Sequence, residues 1–243
     1  MYDPAGNATD KAGGDVVFEE ALPPPSVLEV VHRFVSLRTG SRLASDYRFH
    51  ALPDACTYVI FDQRDPRICG ITRLRAASHE LDLGREFHFT NVRLLPGTWA
   101  GDSALGMIDA PYTGDLPLIE FGARLHERGF VDQQAILVEL IEWFADHGLV
   151  SPNPTTRRIF EQIDEIHTVA DMARAACLSP RQLQRTMQQS TGFAPHDFLK
   201  VIRLQQTLRS ADHSSYADQS HFIRSFRAAT GYTPGQFSRA FDV

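Results

Sequence analysis

Pro152 and Pro154 stand one residue apart in the run Gly148-Leu-Val-Ser-Pro-Asn-Pro-Thr-Thr156. Each proline removes a backbone donor and its ring blocks the preceding helical turn, so no helix crosses the pair. Gly148 just before them suits a left-handed helix cap. The chain therefore reads as two parts, and the hydrophobic period differs between them. Ahead of about residue 115 lie short β-branched and aromatic runs: Thr57–Phe61, Ile68–Leu74 and Phe87–Leu95. Pro53-Asp54, Asp65-Pro66, Gly84 and Pro96-Gly97 bound them with turn chemistry. Alternation in the last run is imperfect, as for a strand packed on both faces of a small barrel or sandwich. From Leu116 the period becomes helical. Ile136, Leu137, Leu140, Ile141 and Phe144 form a stripe with Asp132 as expected N-cap, which could cover the sheet or a second subunit.

Composition sets the class. With 43% hydrophobic and 22% charged residues the chain can bury a core. No apolar run approaches the ~20 residues that span a bilayer, and the acidic start lacks a leader's apolar stretch. The cytoplasm, without a membrane partner, is the expected setting. Three scattered cysteines, Cys56, Cys69 and Cys177, exclude a disulfide framework and a Cys-x-x-Cys zinc site. Residues 1–21 are expected to be a disordered tail, set off by Leu22-Pro-Pro-Pro-Ser26.

Behind the prolines everything is helical. Ile159, Phe160, Ile163 and Ile166 share one apolar face. Thr168-Val-Ala-Asp171 and Ser179-Pro-Arg-Gln182 are capping boxes that open two successive short helices, the second with Pro180 at its first position. Cys177, at the turn between them, is expected to fill a small buried slot. The second helix turns Leu183 and Met187 inward and shows Arg181, Gln184, Arg185, Gln188 and Gln189 outward, with no carboxylate. Arg bonds bidentately to guanine and Gln to adenine, so this face suits a major-groove reader, although a helical hairpin with a polar face has the same pattern. Charge leans the same way. The chain carries a net −6, but residues 174–239 hold 9 Lys and Arg against 3 Asp and Glu.

Further along, Thr191-Gly-Phe-Ala-Pro195 and Gly231-Tyr-Thr-Pro234 both fit a G-[FY]-x-P pattern. The second follows Ala217-Asp-Gln-Ser-His-Phe-Ile-Arg-Ser-Phe226. With Arg203-Leu204, these segments closely resemble the AraC/XylS family of bacterial transcription regulators, over about residues 157–241. More loosely, residues 20–115 resemble a sensor domain of some such regulators, through Leu22-Pro-Pro-Pro25, Leu52-Pro-Asp-Ala-Cys56, Val59-Ile-Phe-Asp62, Gly70 and Val92-Arg-Leu-Leu-Pro-Gly97. The resemblance implies an α+β chain: a cupin-like β-barrel or sandwich with helical appendage over residues 22–150, then an all-helical double helix-turn-helix domain over 157–243. It implies double-stranded DNA as partner, a small-molecule effector and a second copy of the chain as further candidates, and no cofactor. Carried over by position, Arg181, Gln184, Arg185 and Gln188 face bases in the first unit, and Gln219, Ser220, His221 and Arg224 in the second. A linker helix is expected over about Pro195–Arg209. Arg203 to Tyr216 spans 14 positions where relatives have about two dozen, so the second unit lacks the length for its scaffold helix. The alternative is a ligand-binding or dimerisation protein with a degenerate DNA-binding domain, acting through mixed dimers.

Enzyme chemistry finds little footing. His79, Glu80, Glu86 and His88 are the nearest approach to a metal set, yet no two histidines alternate on one strand. Gly101-Asp-Ser-Ala-Leu-Gly106 lacks the second glycine of a nucleophile elbow. Trp99 and Tyr112 are candidate pocket aromatics, with core packing the commoner role.

Overall fold

The computed structural model describes residues 4, 9–10, 14–72, 74–101, 109–210 and 219–242. The chain is α+β, as expected. Strands β2 (Val16–Ala21), β3 (Val31–Thr39), β5 (Thr57–Asp62), β6 (Cys69–Ile71) and β8 (His88–Leu94) form an antiparallel sheet in the order β2-β3-β8-β5-β6. Strands β4 (Arg48–Ala51) and β7 (His79–Asp82) make a separate two-stranded ladder. A short bridge pairs β1 (Thr9–Asp10) with β9 (Phe241–Asp242).

The large sheet is indeed packed on both faces. Val59, Phe61, Val92 and Leu94 point to one side, where helices α1 (Leu118–Leu125) and α2 (Phe130–Asp146) cover them. Tyr58, Ile60, Phe89 and Asn91 point to the other, where they and the β4–β7 ladder wall a cavity of about 270 Å³. This two-sided burial explains the broken alternation in β8. The α2 stripe is core: Leu137, Leu140, Ile141 and Phe144 are fully buried within the chain itself. Thr90, Gln133 and Gln63 are linked beneath α2, Thr90 Oγ1 donating to Gln133 Oε1 at 2.8 Å and Gln133 Nε2 to Gln63 Oε1 at 2.9 Å.

Behind the prolines come α3 (Pro154–Glu161), a 3-10 turn (Ile163–Glu165), α4 (Val169–Ala175), α5 (Pro180–Thr191), α6 (Pro195–Ser210), α7 (Gln219–Thr230) and α8 (Pro234–Ala240). Asn153 caps α3, accepting from the Thr155 and Thr156 amides, while its Nδ2 donates to the Gly97 carbonyl at 2.9 Å. Gly97 has φ 74°, and a Cβ there would lie 2.7 Å from Asn153 Nδ2. The two halves meet along a broad seam. Ala55 and Cys56 are buried with Ile159, Met172 and Phe198, and Gln205 Nε2 donates to the Pro53 carbonyl at 2.8 Å.

Three expectations need correction. The tail expected over residues 1–21 does not hold at its end, because Val16–Ala21 pairs along β3 as an edge strand; its acidic residues point to opposite faces, Glu19 pairing with Arg38 at 3.6 Å and Glu20 with Arg93 at 2.5 Å. Asp132 does not cap α2; the helix opens after Gly129 so that Phe130 packs on the core, leaving Asp132 in the first turn, where its charge suits the helix dipole. Cys177 is exposed rather than buried. The chain reverses through it at φ 56°, and Ala173 and Ala176 fill the slot beneath the turn.

Trp99 stands in the core, edge-on to Phe144 with ring centroids 5.2 Å apart, and Tyr112 packs against the same cluster; neither lines the cavity. Glu80 pairs with Arg48 at 2.7 Å and Glu86 with Arg64 at 3.8 Å. Among the described residues no three His, Cys, Asp or Glu side chains gather as a metal site, and no helix is long and apolar enough to cross a membrane. Residues 102–106 of the elbow-like run and residues 211–218 before α7 lie outside the described residues.

Candidate nucleic-acid interface

The first unit is held from both ends. At α4, the Asp171 amide donates to Thr168 Oγ1 at 3.1 Å and the Thr168 amide to Asp171 Oδ2 at 2.8 Å. The Thr168 hydroxyl bond leads the contacts that hold the Asp171 carboxyl below the usual carboxylate range. At α5 the Gln182 amide donates to Ser179 Oγ at 3.3 Å, and the Ser179 amide to Gln182 Oε1 at 3.0 Å. These reciprocal bonds satisfy amides that every helix start leaves unpaired. Leu183 and Met187 are 0% exposed and pack into a cluster with Met172, Ala173 and Ala176, which fixes the angle between the two helices. Gly192, at φ 73°, ends α5.

The outward face follows from that packing. Arg181, Gln184, Arg185, Gln188 and Gln189 are exposed. Among the described residues Arg181, Gln184 and Arg185 make no hydrogen bond or ion pair, so their donors are free for a partner. Gln188 differs: its Nε2 donates to the Gly192 carbonyl at 2.9 Å. α5 contains no acidic residue along its whole length.

Linker helix α6 serves both units. Phe198, Leu199, Val201 and Ile202 join the first unit's core, while Leu204 joins the second's. In the second unit α7 buries Phe222 and Phe226 against Phe237 of α8, with ring centroids of Phe226 and Phe237 5.5 Å apart. Gln219, Ser220 and Arg224 are exposed, and His221 lies on the same helix. Sequence reading missed the cavity and the residues joining the halves. The opposed parities of Tyr58/Ile60 and Val59/Phe61 were the available signal for the cavity.

Residues 172–240 match the model of a helix-turn-helix domain family. This match makes the segment a helix-turn-helix domain, a class of DNA-binding module. Among solved structures, ToxT from Vibrio cholerae is similar to 91% of this chain over 96% of its own length, at 8% identity and a TM-score of 0.38. No curated protein matches the chain.

Proposed function

We propose that the chain is a sequence-reading transcription regulator whose output responds to a small ligand held in the β half, residues 22–150, and read out through residues 157–243. The observation that carries the reading is the free, carboxylate-free face of α5, held on a doubly capped and fully packed base. Arg181, Gln184 and Arg185 have the reach and donor geometry to read base edges in a major groove. Gln188 is partly engaged, one N–H of its amide being given to the Gly192 carbonyl. On α7 the corresponding group is Gln219, Ser220, His221 and Arg224.

The cavity beneath the large sheet is the proposed effector site. Its walls are mainly apolar, from Leu37, Phe49, Ile60, Leu81 and Phe89, and Asn91 Oδ1 is buried there without a partner. Asp54, Arg75, Asp82 and Asp109 also border the cavity, so the site favours a largely apolar molecule that carries a hydrogen-bond donor for Asn91 and a polar end. Selecting bound oligonucleotides from a random pool with the full-length protein tests the function. Enrichment of a defined motif is the expected result; uniform recovery of all sequences would remove sequence reading from the proposal.

A further inference from the structure

Phe222 and Phe226 are buried although no scaffold helix precedes α7 among the described residues. Their cluster contains Leu204, Phe237 and Phe241 of the helical half, and also Leu52 of the β half. The end of α7 is closed from the same side. The last carbonyls of any helix have no partner within it. Here the Ser78 amide, just ahead of β7, donates to the Ala229 carbonyl at 2.7 Å. His50, on β4, places Nε2 2.8 Å from the Thr230 carbonyl. A carbonyl only accepts, so Nε2 carries the proton and donates. The His50 ring also stacks on Phe241 at 5.0 Å and meets Tyr232 edge-on at 5.3 Å.

β4 is therefore a two-sided strand. Phe49 and Ala51 line the cavity, while His50 between them faces the second unit. Leu52, one residue beyond the strand, borders both. The first unit differs. Cys56 borders its core and the cavity alike, but α4 is complete and holds α5 directly.

We propose that the β4–β7 ladder stands in for a scaffold helix of the second unit, none of which is present among the described residues, and that the contents of the cavity set the position of α7 while α5 stays fixed. His50, Leu52 and Ser78 are positioning residues in this scheme, and α7 becomes the regulated reader. The proposal rests on the reading of the chain as an effector-modulated DNA binder, and extends it to which helix the effector controls.

Amide hydrogen exchange on the full-length protein without DNA tests the scaffold. Leu52→Ala should speed exchange over residues 219–230 by about thirtyfold or more, the low end for truncating a buried Leu, and over residues 180–191 by less than about twofold. His50→Leu, which keeps apolar volume but removes the donor to Thr230, gives the same pattern if Leu52→Ala does not fold. Equal changes in α5 and α7, or none in α7, overturn the scaffold role. Filling the cavity from its far wall, by Asn91→Leu or Ile60→Phe, tests the coupling. The expected result is a several-fold change in α7 exchange with α5 unaltered; an unchanged α7 in a folded variant removes the coupling. Because exchange is read without DNA, failure of the DNA-reading proposal shows separately, as a random pool that yields no motif while the exchange pattern stands.

Discussion

Gln205, near the middle of α6, donates its side-chain amide to the Pro53 carbonyl at 2.8 Å, and both residues are buried. The bond ties the linker helix between the two helix-turn-helix units to the turn that leads into β5. The next residue, Asp54, is buried as well, and accepts from the Tyr58 hydroxyl and the Cys56 amide. Burial pushes the Asp54 carboxyl above its usual range, while the Arg93 charge and these bonds pull it back. The seam between the halves is thus a polar, satisfied arrangement set inside an apolar contact, which specifies one docking geometry.

Gln205→Leu keeps the volume at this seam but leaves the Pro53 carbonyl unpaired in a buried place. It should lower stability by about 1–3 kcal/mol, the usual cost of an orphaned buried acceptor. Urea unfolding followed by circular dichroism measures it. A midpoint equal to the parent's would mean that the carbonyl finds another donor.

Arg185→Ala, and separately Gln184→Ala, should narrow the gap between a selected site and random DNA by about 1–3 kcal/mol each. The motive is their exposed position on α5 with no partner among the described residues. Competition binding at fixed salt decides it. Loss that is equal on selected and random DNA would make these residues phosphate contacts instead.

His50 gives the fold a dependence on pH. Burial lowers its pKa from the ordinary 6.5, opposed by the Thr230 carbonyl and the Glu80 charge. The unfolded chain therefore takes up the proton first as pH falls. The stability tied to neutral His50 is fully present above pH 6.5 and is lost as the pH drops towards the folded-state value. Unfolding midpoints measured down from pH 7.5 should fall in the parent, and fall less steeply in His50→Leu. Parallel curves for the two proteins would assign the slope to other groups.

Cys177→Gly should stabilise the chain by about 0.5–1 kcal/mol. At φ 56° a side chain crowds its own carbonyl, whereas glycine adopts this conformation freely and loses only part of the gain to its larger unfolded entropy. The exposed thiol contributes no packing that would be lost. Thermal melting compares the two proteins, and a lower melting temperature for the glycine variant would contradict the strain at this turn.

Local signals carried far in the helical half. The boxes at Thr168 and Ser179, the prolines at positions 154, 180 and 234, and the inward pair Leu183 and Met187 each act within one or two turns, so their meaning is written in adjacent residues. Strands β5 and β8 were legible for the same reason. β2 was not, because Glu19 and Glu20 break the apolar run that marks a strand, and their partners Arg38 and Arg93 are not adjacent in sequence. β4 and β7 are four residues each, too short to show a period. The role of β4 lay further out of reach, since His50 finds its acceptor 180 residues along the chain and nothing local marks that meeting.

The buried position of Leu52 among Leu204, Phe226 and Phe237 imposes an order on assembly. During synthesis the β half leaves the ribosome well before α7 exists, and it can be folded when the last helices emerge. The second unit then condenses onto a surface already made. A chain released from denaturant has no such head start. Its final helices collapse while β4 is still unplaced, with two phenylalanines seeking any apolar contact. Refolding from urea should consequently show a slow phase that reports on Phe222 and Phe226 but not on Leu183, and crowded refolding should lose more material to aggregation than synthesis does.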